Sequence, residues 1–236
     1  IPPRRPHRVR MKVDLVSDVR ANLPALETVH DDMRAVDRIC CAGDVVGDNP
    51  WPAEGGERVR DVAAATVRGN HDRTVETPER YRANRMAEAG LERAKASLSA
   101  DQREWVGDLP RTETFAGDRY LLVHSHPAAE REDAYVYPDE FPTLGRHLEE
   151  YDGIVLGHTH VQGVRDVAGG FVCNPGSVGQ PRDGDPRAGY AVLDTNADGT
   201  DAVETHRVEY DVDRVAEAVR EADLPELTAE RLYEGE

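Results

Sequence analysis

The chain has 236 residues, enough for one large α/β domain or two small ones. Acidic residues outnumber basic ones by 46 to 29, and the resulting net charge of −17 argues against a nucleic-acid partner. The longest apolar runs are strand-sized and far too short to span a bilayer, so no membrane attachment is expected.

Almost all of the basic residues are arginine, since Lys12 and Lys95 are the only lysines. Acid-rich, lysine-poor chains with few aromatic residues are typical of proteins that stay hydrated in concentrated salt. We therefore expect a halophilic, haloarchaeal source. At molar salt the Debye length is about 3 Å, so the net charge alone would exclude nucleic acid less firmly there.

Three cysteines, Cys40, Cys41 and Cys173, are an odd number and lack Cys-x-x-Cys spacing. Two of them lie within an apolar run, which favours buried, reduced thiols over a disulfide or a zinc site. Reduced thiols predict a cytoplasmic protein.

The first half of the chain alternates strands and helices. Residues 1–10 are rich in proline and arginine and are expected to be a disordered leader or a tag remnant. A strand over 12–16 is followed by a helix that Asn22 can cap and that begins near Pro24. A second strand over 38–41, a loop over 48–56 and a helix over 57–65 follow.

The second half is richer in strands. A helical region over 78–109, with a capping box at Ser99 and Gln102, precedes a hairpin over 112–123 and a helix over 139–150. We predict one domain over 11–222, parallel pairing first and mostly antiparallel pairing later, and a polar C-terminal tail over 223–236. The later strands are predicted at 154–156, 161–167, 170–173, 189–194 and 202–210, and the last helix at 212–222. The pattern favours two sheets packed face to face with helices outside, an α/β fold of mixed character.

Five apolar runs each end in a residue that can bind a metal ion. The carboxyl ends of parallel strands are where α/β proteins bind ligands. Any one such residue could instead cap a helix or fill the core, and the tightly spaced Gly157-His158-Thr159-His160 is the strongest single signal. The candidate ligands are Asp18, Asp44, Asn70, His124, His158 and His160.

Carboxylate, amide and imidazole ligands suit Mn²⁺, Fe²⁺, Zn²⁺, Co²⁺ or Ni²⁺. Two such ions about 3.5–4 Å apart acidify a bridging water and clamp an in-line displacement at phosphorus. Asp18 and Asp44 would leave that pocket positive, as a phosphate anion requires. An imidazole such as His71, which follows Asn70, could protonate the leaving oxygen.

The residues Asp18-Val19-Arg20, Gly43-Asp44, Gly69-Asn70-His71-Asp72, His124 and Gly157–His160 together resemble the calcineurin-like metallophosphoesterases. The stretches 17–26, 43–47 and 174–182 resemble its small, single-domain prokaryotic branch. The resemblance implies a four-layer αββα sandwich with two divalent ions, Mn²⁺ foremost. Asp44 would bridge them; Asp18 and His160 would hold the first, and Asn70, His124 and His158 the second. His71 would be the acid or phosphate-binding group, with Asp72 in support.

One residue departs from this pattern, because the family's first motif is Asp-x-His and this chain has Arg20. Arginine cannot ligate a metal, but it can bind a phosphate oxygen. Three outcomes are open: a weakened first site, a single-metal enzyme in which Arg20 replaces one positive charge, or a site with little turnover.

The sequence thus predicts a phosphoesterase that hydrolyses a small phosphodiester or phosphomonoester by metal-activated hydroxide attack. Arg20, Arg182 and Ser177 are candidate substrate contacts, the last two from the Gly- and Pro-rich segment 174–187. The alternatives are a binding or scaffold module of the same fold and a nuclease, although no basic stripe with aromatics is present. An edge strand near the C-terminus could pair two copies into a homodimer.

Overall fold

The computed structural model describes residues 10–33, 36–196 and 201–236, so the predicted leader, apart from Arg10, lies outside the described residues. In the described ranges ten strands form two five-stranded sheets. The strands are β1 Met11–Val16, β2 Arg38–Cys41, β3 Ala65–Thr66, β4 Thr112–Phe115, β5 Tyr120–Val123, β6 Gly153–Val155, β7 Gly163–Val167, β8 Gly170–Asn174, β9 Ala188–Thr195 and β10 Ala202–Val208.

The first sheet has the order β10-β9-β1-β2-β3, and the second has the order β4-β5-β6-β8-β7. As predicted, β1, β2 and β3 are parallel. The later strands are predicted to pair mostly in an antiparallel manner. The strands of the hairpins do so, but β5, β6 and β8 pair in parallel. They do so because residues 124–152 cross over the sheet between β5 and β6, where a tight turn would have reversed the chain.

Helices cover both outer faces of the paired sheets. The predicted 139–150 helix is present as a 3₁₀ helix, and two shorter 3₁₀ turns occur at Pro78–Tyr81 and Ala129–Arg131. The helices are α1 Leu23–Asp32, α2 Pro52–Val62, α3 Asn70–Thr74, α4 Arg85–Ser97, α5 Ala100–Asp108, the 3₁₀ helix Phe141–Glu149, α6 Val212–Glu221 and α7 Glu226–Glu234.

Alternate side chains of each sheet point into different cores, as the two-residue period of a strand requires. Leu15 of β1 packs with Leu122 of β5 in the core between the sheets. Val16 packs toward α1 and α4, while Ile154 of β6 packs toward the 3₁₀ helix Phe141–Glu149. The expected αββα sandwich is confirmed.

Two predicted helix starts are confirmed by their caps. The Asn22 side chain accepts a hydrogen bond from the Ala25 N–H, and Ser99 and Gln102 form a capping box on α5. The three cysteines are buried and free. None of the helices that the structure describes is long and apolar enough to cross a bilayer.

Two predicted boundaries are wrong. The predicted 48–56 loop contains the start of α2, because Pro52 suits the first turn of a helix and Gly55 continues it by donating to the Trp51 carbonyl. The predicted polar tail over 223–236 contains α7. Its Ala229 and Leu232 are buried against α6, so a narrow apolar stripe within an acidic segment is enough to dock this helix.

Asp14, in the middle of β1, is fully buried between its register neighbours Ile39 and Val192. Neither carboxylate oxygen has a hydrogen-bond partner among residues 10–33, 36–196 and 201–236. Burial raises the pKa of this carboxyl from 3.8 to about 7, although the charge of Lys12 opposes the shift. Asp14 therefore destabilises the folded protein at any pH at which it is ionised.

We expect Asp14→Val to be more stable than the wild type at pH 8. The folded-state pKa lies above the unfolded one, so the wild type loses stability as the pH rises from about 4 to about 7. Urea unfolding measures the difference in free energy of unfolding between the variant and the wild type. This difference should be about 2 kcal/mol smaller at pH 5 than at pH 8. An advantage that is equal at both pH values would contradict this assignment.

Candidate metal centre

The six predicted ligands come together at one edge of the two packed sheets. Asp18 follows β1, Asp44 follows β2 and His124 follows β5. All six side chains are buried. Ligand atoms of Asp18, Asp44 and His160 lie within 4.8 Å of one another, a spacing that suits a single cation.

The loops that carry these side chains have an unusual backbone. Asp18, Asp44, His158 and His160 all have positive φ angles, between +51° and +71°. Such angles are uncommon for residues other than glycine, and they concentrate at functional sites. Backbone hydrogen bonds between the loops hold the conformation, for example from Asp18 N to the Gly43 carbonyl at 2.9 Å.

Two glycines allow the loops to approach each other. A Cβ atom on Gly69 would lie 2.0 Å from Asp44 Oδ1, and one on Gly157 would lie 1.9 Å from Ser17 Oγ. Any side chain at either position would therefore push a candidate ligand loop away. The glycines of the predicted Gly-Asn-His-Asp and Gly-His-Thr-His motifs are thus required by packing.

Asp18, Asp44 and His160 form what we call the first group, and the Arg20 guanidinium lies among them. Arg20 Nη2 is 2.5 Å from Asp44 Oδ2, 2.9 Å from His160 Nε2 and 3.6 Å from Asp18 Oδ1. Burial alone would raise the pKa values of both carboxyls, but His160 beside Asp18 and Arg20 beside Asp44 hold them below the ordinary value.

Asp44, Asn70, His124 and His158 form what we call the second group, in which His124 lies close to Asn70 and Asp44. His124 Nε2 lies 3.0 Å from Asn70 Oδ1 and 3.4 Å from Asp44 Oδ2, while His124 Nδ1 donates to the Ala42 carbonyl at 2.8 Å. That last bond leaves Nε2 as the nitrogen that would bind a metal ion, in place of a proton. Burial opposes protonation of His124, but Asp44 raises its pKa to about 9. The second group therefore stabilises a positive charge at this position.

His158 completes the second group from the facing loop. Its Nε2 lies 3.1 Å from the Asp133 carbonyl, and its Nδ1 has no hydrogen-bond partner in the part of the chain that the structure describes. Its ring centroid lies 5.0 Å from that of His124. A buried, unpartnered imidazole nitrogen next to the His124 ring suits a further ligand of a divalent ion.

Asp72 supports the site without facing it. Its Oδ1 accepts hydrogen bonds from the Val45 and Val46 N–H groups, and its Oδ2 accepts one from Gly69 N–H. Burial and the neighbouring charge of Asp44 raise its pKa to about 7, against these hydrogen bonds. Asp72 is thus a positioning residue that ties the Asp44 loop to the start of α3.

His71 lies against Arg20 and holds Asp44. Its backbone N–H donates to Asp44 Oδ1 at 2.8 Å, and its ring nitrogens lie 2.7 and 3.1 Å from Arg20 Nη1. A guanidinium only donates, so the facing nitrogen accepts and the ring is neutral. Burial first, then the charge of Arg20, lowers the pKa of His71 to about 4.

The two predicted substrate contacts on segment 174–187 behave differently. Ser177 is fully buried, and its hydroxyl donates to the Asp18 carbonyl and accepts from Gln180 N–H, so it braces the loop and is not placed to touch a substrate. Arg182 is partly exposed, and its Nη2 donates to Gln180 Oε1 at 2.8 Å. Burial and the charge of Arg20 lower the pKa of Arg182.

Sequence reasoning missed two residues at the site. The buried Asp48 pairs with Arg20 Nη1 at 2.8 Å, and Tyr135 stacks on the His158 ring with centroids 4.4 Å apart. The second acid of Gly43-Asp44-Val45-Val46-Gly47-Asp48 was a usable signal for the first. No comparable signal marks Tyr135 in the long 124–140 connection.

A cleft of about 790 Å³ lies away from all of these residues. It is lined by Arg119, Tyr151 and Arg165 among others, and Arg119 is already paired with Asp152 and Asp201. The chemistry of the ligand groups, and not cavity size, therefore identifies the candidate site.

Comparisons with known proteins agree with the fold. A family model described as a calcineurin-like phosphoesterase superfamily domain matches residues 11–198. The crystal structure of a metallophosphoesterase from Sphaerobacter thermophilus superposes with a TM-score of 0.79 at 32% identity, covering 97% of this chain and all of that one.

Two relatives in sequence span most of the chain. A protein of Methanocaldococcus jannaschii that bears no assigned function is 30% identical, covering 96% of this chain and 99% of its own length. The phosphodiesterase YfcE of Escherichia coli is 26% identical, covering 79% of this chain and 89% of its own length.

We expect Asp72→Ala to lower the free energy of unfolding by about 2–4 kcal/mol, because it leaves buried backbone N–H groups without an acceptor. It should also weaken Mn²⁺ binding, since Asp44 and Asn70 lose their common support. Calorimetric titration and urea unfolding measure the two effects. Asp101→Ala is the control, because that carboxylate is 73% exposed and pairs with Arg60 at the surface. Equal stability of the two variants would show that Asp72 does not position the loops.

Proposed function

Because the chain belongs to the calcineurin-like phosphoesterase superfamily, we propose that it is a metal-dependent hydrolase of a small phosphodiester or phosphomonoester. The observation that carries the proposal is the convergence of His124 Nε2, Asn70 Oδ1 and Asp44 Oδ2, with the unpartnered His158 Nδ1 nearby. These atoms carry lone pairs, and a divalent cation placed between them would bind them together.

Asp44, Asn70, His124 and His158 would hold the ion, and Mn²⁺ is the ion we propose for this mixed oxygen and nitrogen set. When bound, it supplies a Lewis acid for a phosphoryl oxygen and lowers the pKa of water. The His124 N–H bond to the Ala42 carbonyl fixes the ring orientation before any ion arrives. The sequence-based expectation of two ions depends on whether Arg20 can leave the first group.

Arg20, His71 and Arg182 are the proposed contacts of the phosphoryl group. A guanidinium binds two phosphate oxygens with its parallel N–H groups. The ring of His71 is neutral beside Arg20, which favours the phosphate-binding role over that of an acid for the leaving group. Tyr135, which is half exposed and stacked on His158, stands at the rim where a substituent of the ester would emerge.

We also propose a small-molecule substrate, a cytoplasmic location and halophilic behaviour, and assays should be run in high salt. Free, buried cysteines support a reducing compartment. The predicted homodimer has a candidate surface, because β10 is the edge strand of the first sheet.

We expect the wild type to hydrolyse bis(p-nitrophenyl) phosphate with added Mn²⁺ and to lose this activity on chelation. His124→Gln should lower kcat/KM at least about 100-fold, because it removes an imidazole from the second group. The matched control is His126→Gln. His126 is equally buried, but its Nδ1 accepts from Ala128 N–H outside both groups, so its rate should stay within about threefold of the wild type.

Equal losses in the two variants would contradict the assignment of His124. A wild type that binds Mn²⁺ but releases no nitrophenolate from mono- or diesters would instead favour the binding or scaffold module. The position of Arg20 among the ligands is the observation that keeps that second candidate open.

We expect His71→Gln to reduce kcat/KM for aryl phosphodiesters by about 10- to 100-fold, and by the same factor whatever the pKa of the leaving phenol. A group that only binds phosphate contributes equally to good and poor leaving groups. The test is a series of substituted aryl esters that is measured with both proteins. A deficit that grows with leaving-group pKa would restore His71 as the acid.

A further inference from the structure

The Arg20 guanidinium occupies the position in which the first group would hold a metal ion. We infer that this protein holds one divalent ion per chain, bound by the second group, and that Arg20 is the resident cation of the first group. The inference rests on the proposed function only in requiring that the second group bind an ion. The site would then contain one guanidinium beside one metal ion.

The Arg20 guanidinium leaves no space for an ion in the first group. Nη2 of Arg20 contacts Asp44 Oδ2 at 2.5 Å and His160 Nε2 at 2.9 Å, and it lies 3.6 Å from Asp18 Oδ1. Nitrogen and oxygen ligands bind a divalent transition metal at about 2.0–2.2 Å, so an ion of the first group would need the volume that this nitrogen fills. The two cations therefore exclude each other.

Arg20 is also held by partners outside the first group. Its Nη1 donates to Asp48 Oδ2 at 2.8 Å, its backbone N–H donates to the Asp44 carbonyl, and its own carbonyl accepts from the Asn49 side chain. The residue is only 2% exposed, and Gly179 lies so close that a Cβ there would be 3.1 Å from Arg20 Cβ. Moving the guanidinium out would leave Asp48 as a buried, unpaired carboxylate.

The charges around Arg20 also favour one divalent ion over two. The three carboxylates around Arg20 are those of Asp18, Asp44 and Asp48, and one guanidinium leaves two of their negative charges uncompensated. A single divalent ion in the second group, which shares Asp44, balances them. A second divalent ion would stand beside the guanidinium with nothing left to neutralise it.

The consequence for substrate binding is specific. A guanidinium presents N–H donors to phosphoryl oxygens with fixed geometry, where a metal ion would accept those oxygens as ligands. Of the Arg20 nitrogens, Nε has no hydrogen-bond partner among the described residues, and it is the donor that would reach a phosphoryl oxygen, with Asp48 fixing the orientation of the side chain.

The experiment counts metal ions and does not depend on turnover. Chelator-treated wild-type protein is loaded with excess Mn²⁺, freed of weakly held ion on a desalting column, and measured by elemental analysis and by electron paramagnetic resonance. We expect one Mn²⁺ per chain with the spectrum of an isolated ion. Two ions per chain with the spectrum of a spin-coupled pair would overturn the inference, whereas no bound ion would overturn the proposed function itself.

Arg20→His provides the second test, because it vacates the first group and adds an imidazole. We expect the stoichiometry to rise from one to two, with a coupled spectrum. Arg182→His is the matched control, since Arg182 bonds Gln180 and contacts neither Asp18 nor Asp44, and it should retain one ion. A folded Arg20→His protein that still holds one isolated ion would also overturn the inference, because Arg20 would not then be what keeps the second ion out.

Discussion

The buried carboxylate of Asp44 is the contact on which the rest of the site depends. Its Oδ1 accepts from the His71 N–H, and its Oδ2 lies between Arg20 and His124. One side chain thus links the end of β2, the start of α3, the first sheet's loop after β1 and the second sheet's strand β5. A carboxylate without solvent is stable only when positive groups and donors surround it, so the neighbouring loops are held at short distance by its charge.

The layer architecture and the position of the candidate ligands at one edge were readable from the sequence for the same reason. Strands buried on both faces appear as short apolar runs, and residues such as Asp18 and His124 come directly after them. Parallel strands place those residues at one edge. The order of motifs along the chain therefore carried three-dimensional information about the second group, and the caps at Asn22 and Ser99 were equally local signals.

What the sequence could not supply are features that depend on tertiary contacts. The direction of pairing of β5 and β6 depends on the path of a long crossover, and the helix α7 depends on an apolar stripe of few residues within an acidic segment. Ser177 was expected to touch the substrate, and only its two hydrogen bonds to backbone groups show it to be internal. Arg20 was visible as a departure, but its partner Asp48 is four residues beyond the motif and is brought to it by folding.

The carboxylates of this protein lie in two different environments, the solvated surface and the buried surroundings of Arg20. The net charge of −17 belongs to a solvated surface, where screening by salt makes each carboxylate nearly independent of the next. Around Arg20 three carboxylates are buried together, and salt cannot screen them, so each must be compensated by a specific partner. A change of ionic strength that alters the surface should therefore leave the ion pairs of Arg20 unchanged, because its contacts with Asp44 and Asp48 are buried and solvent ions cannot come between them. An arginine is tolerated among the candidate metal ligands because the carboxylate of Asp48 also pairs with it.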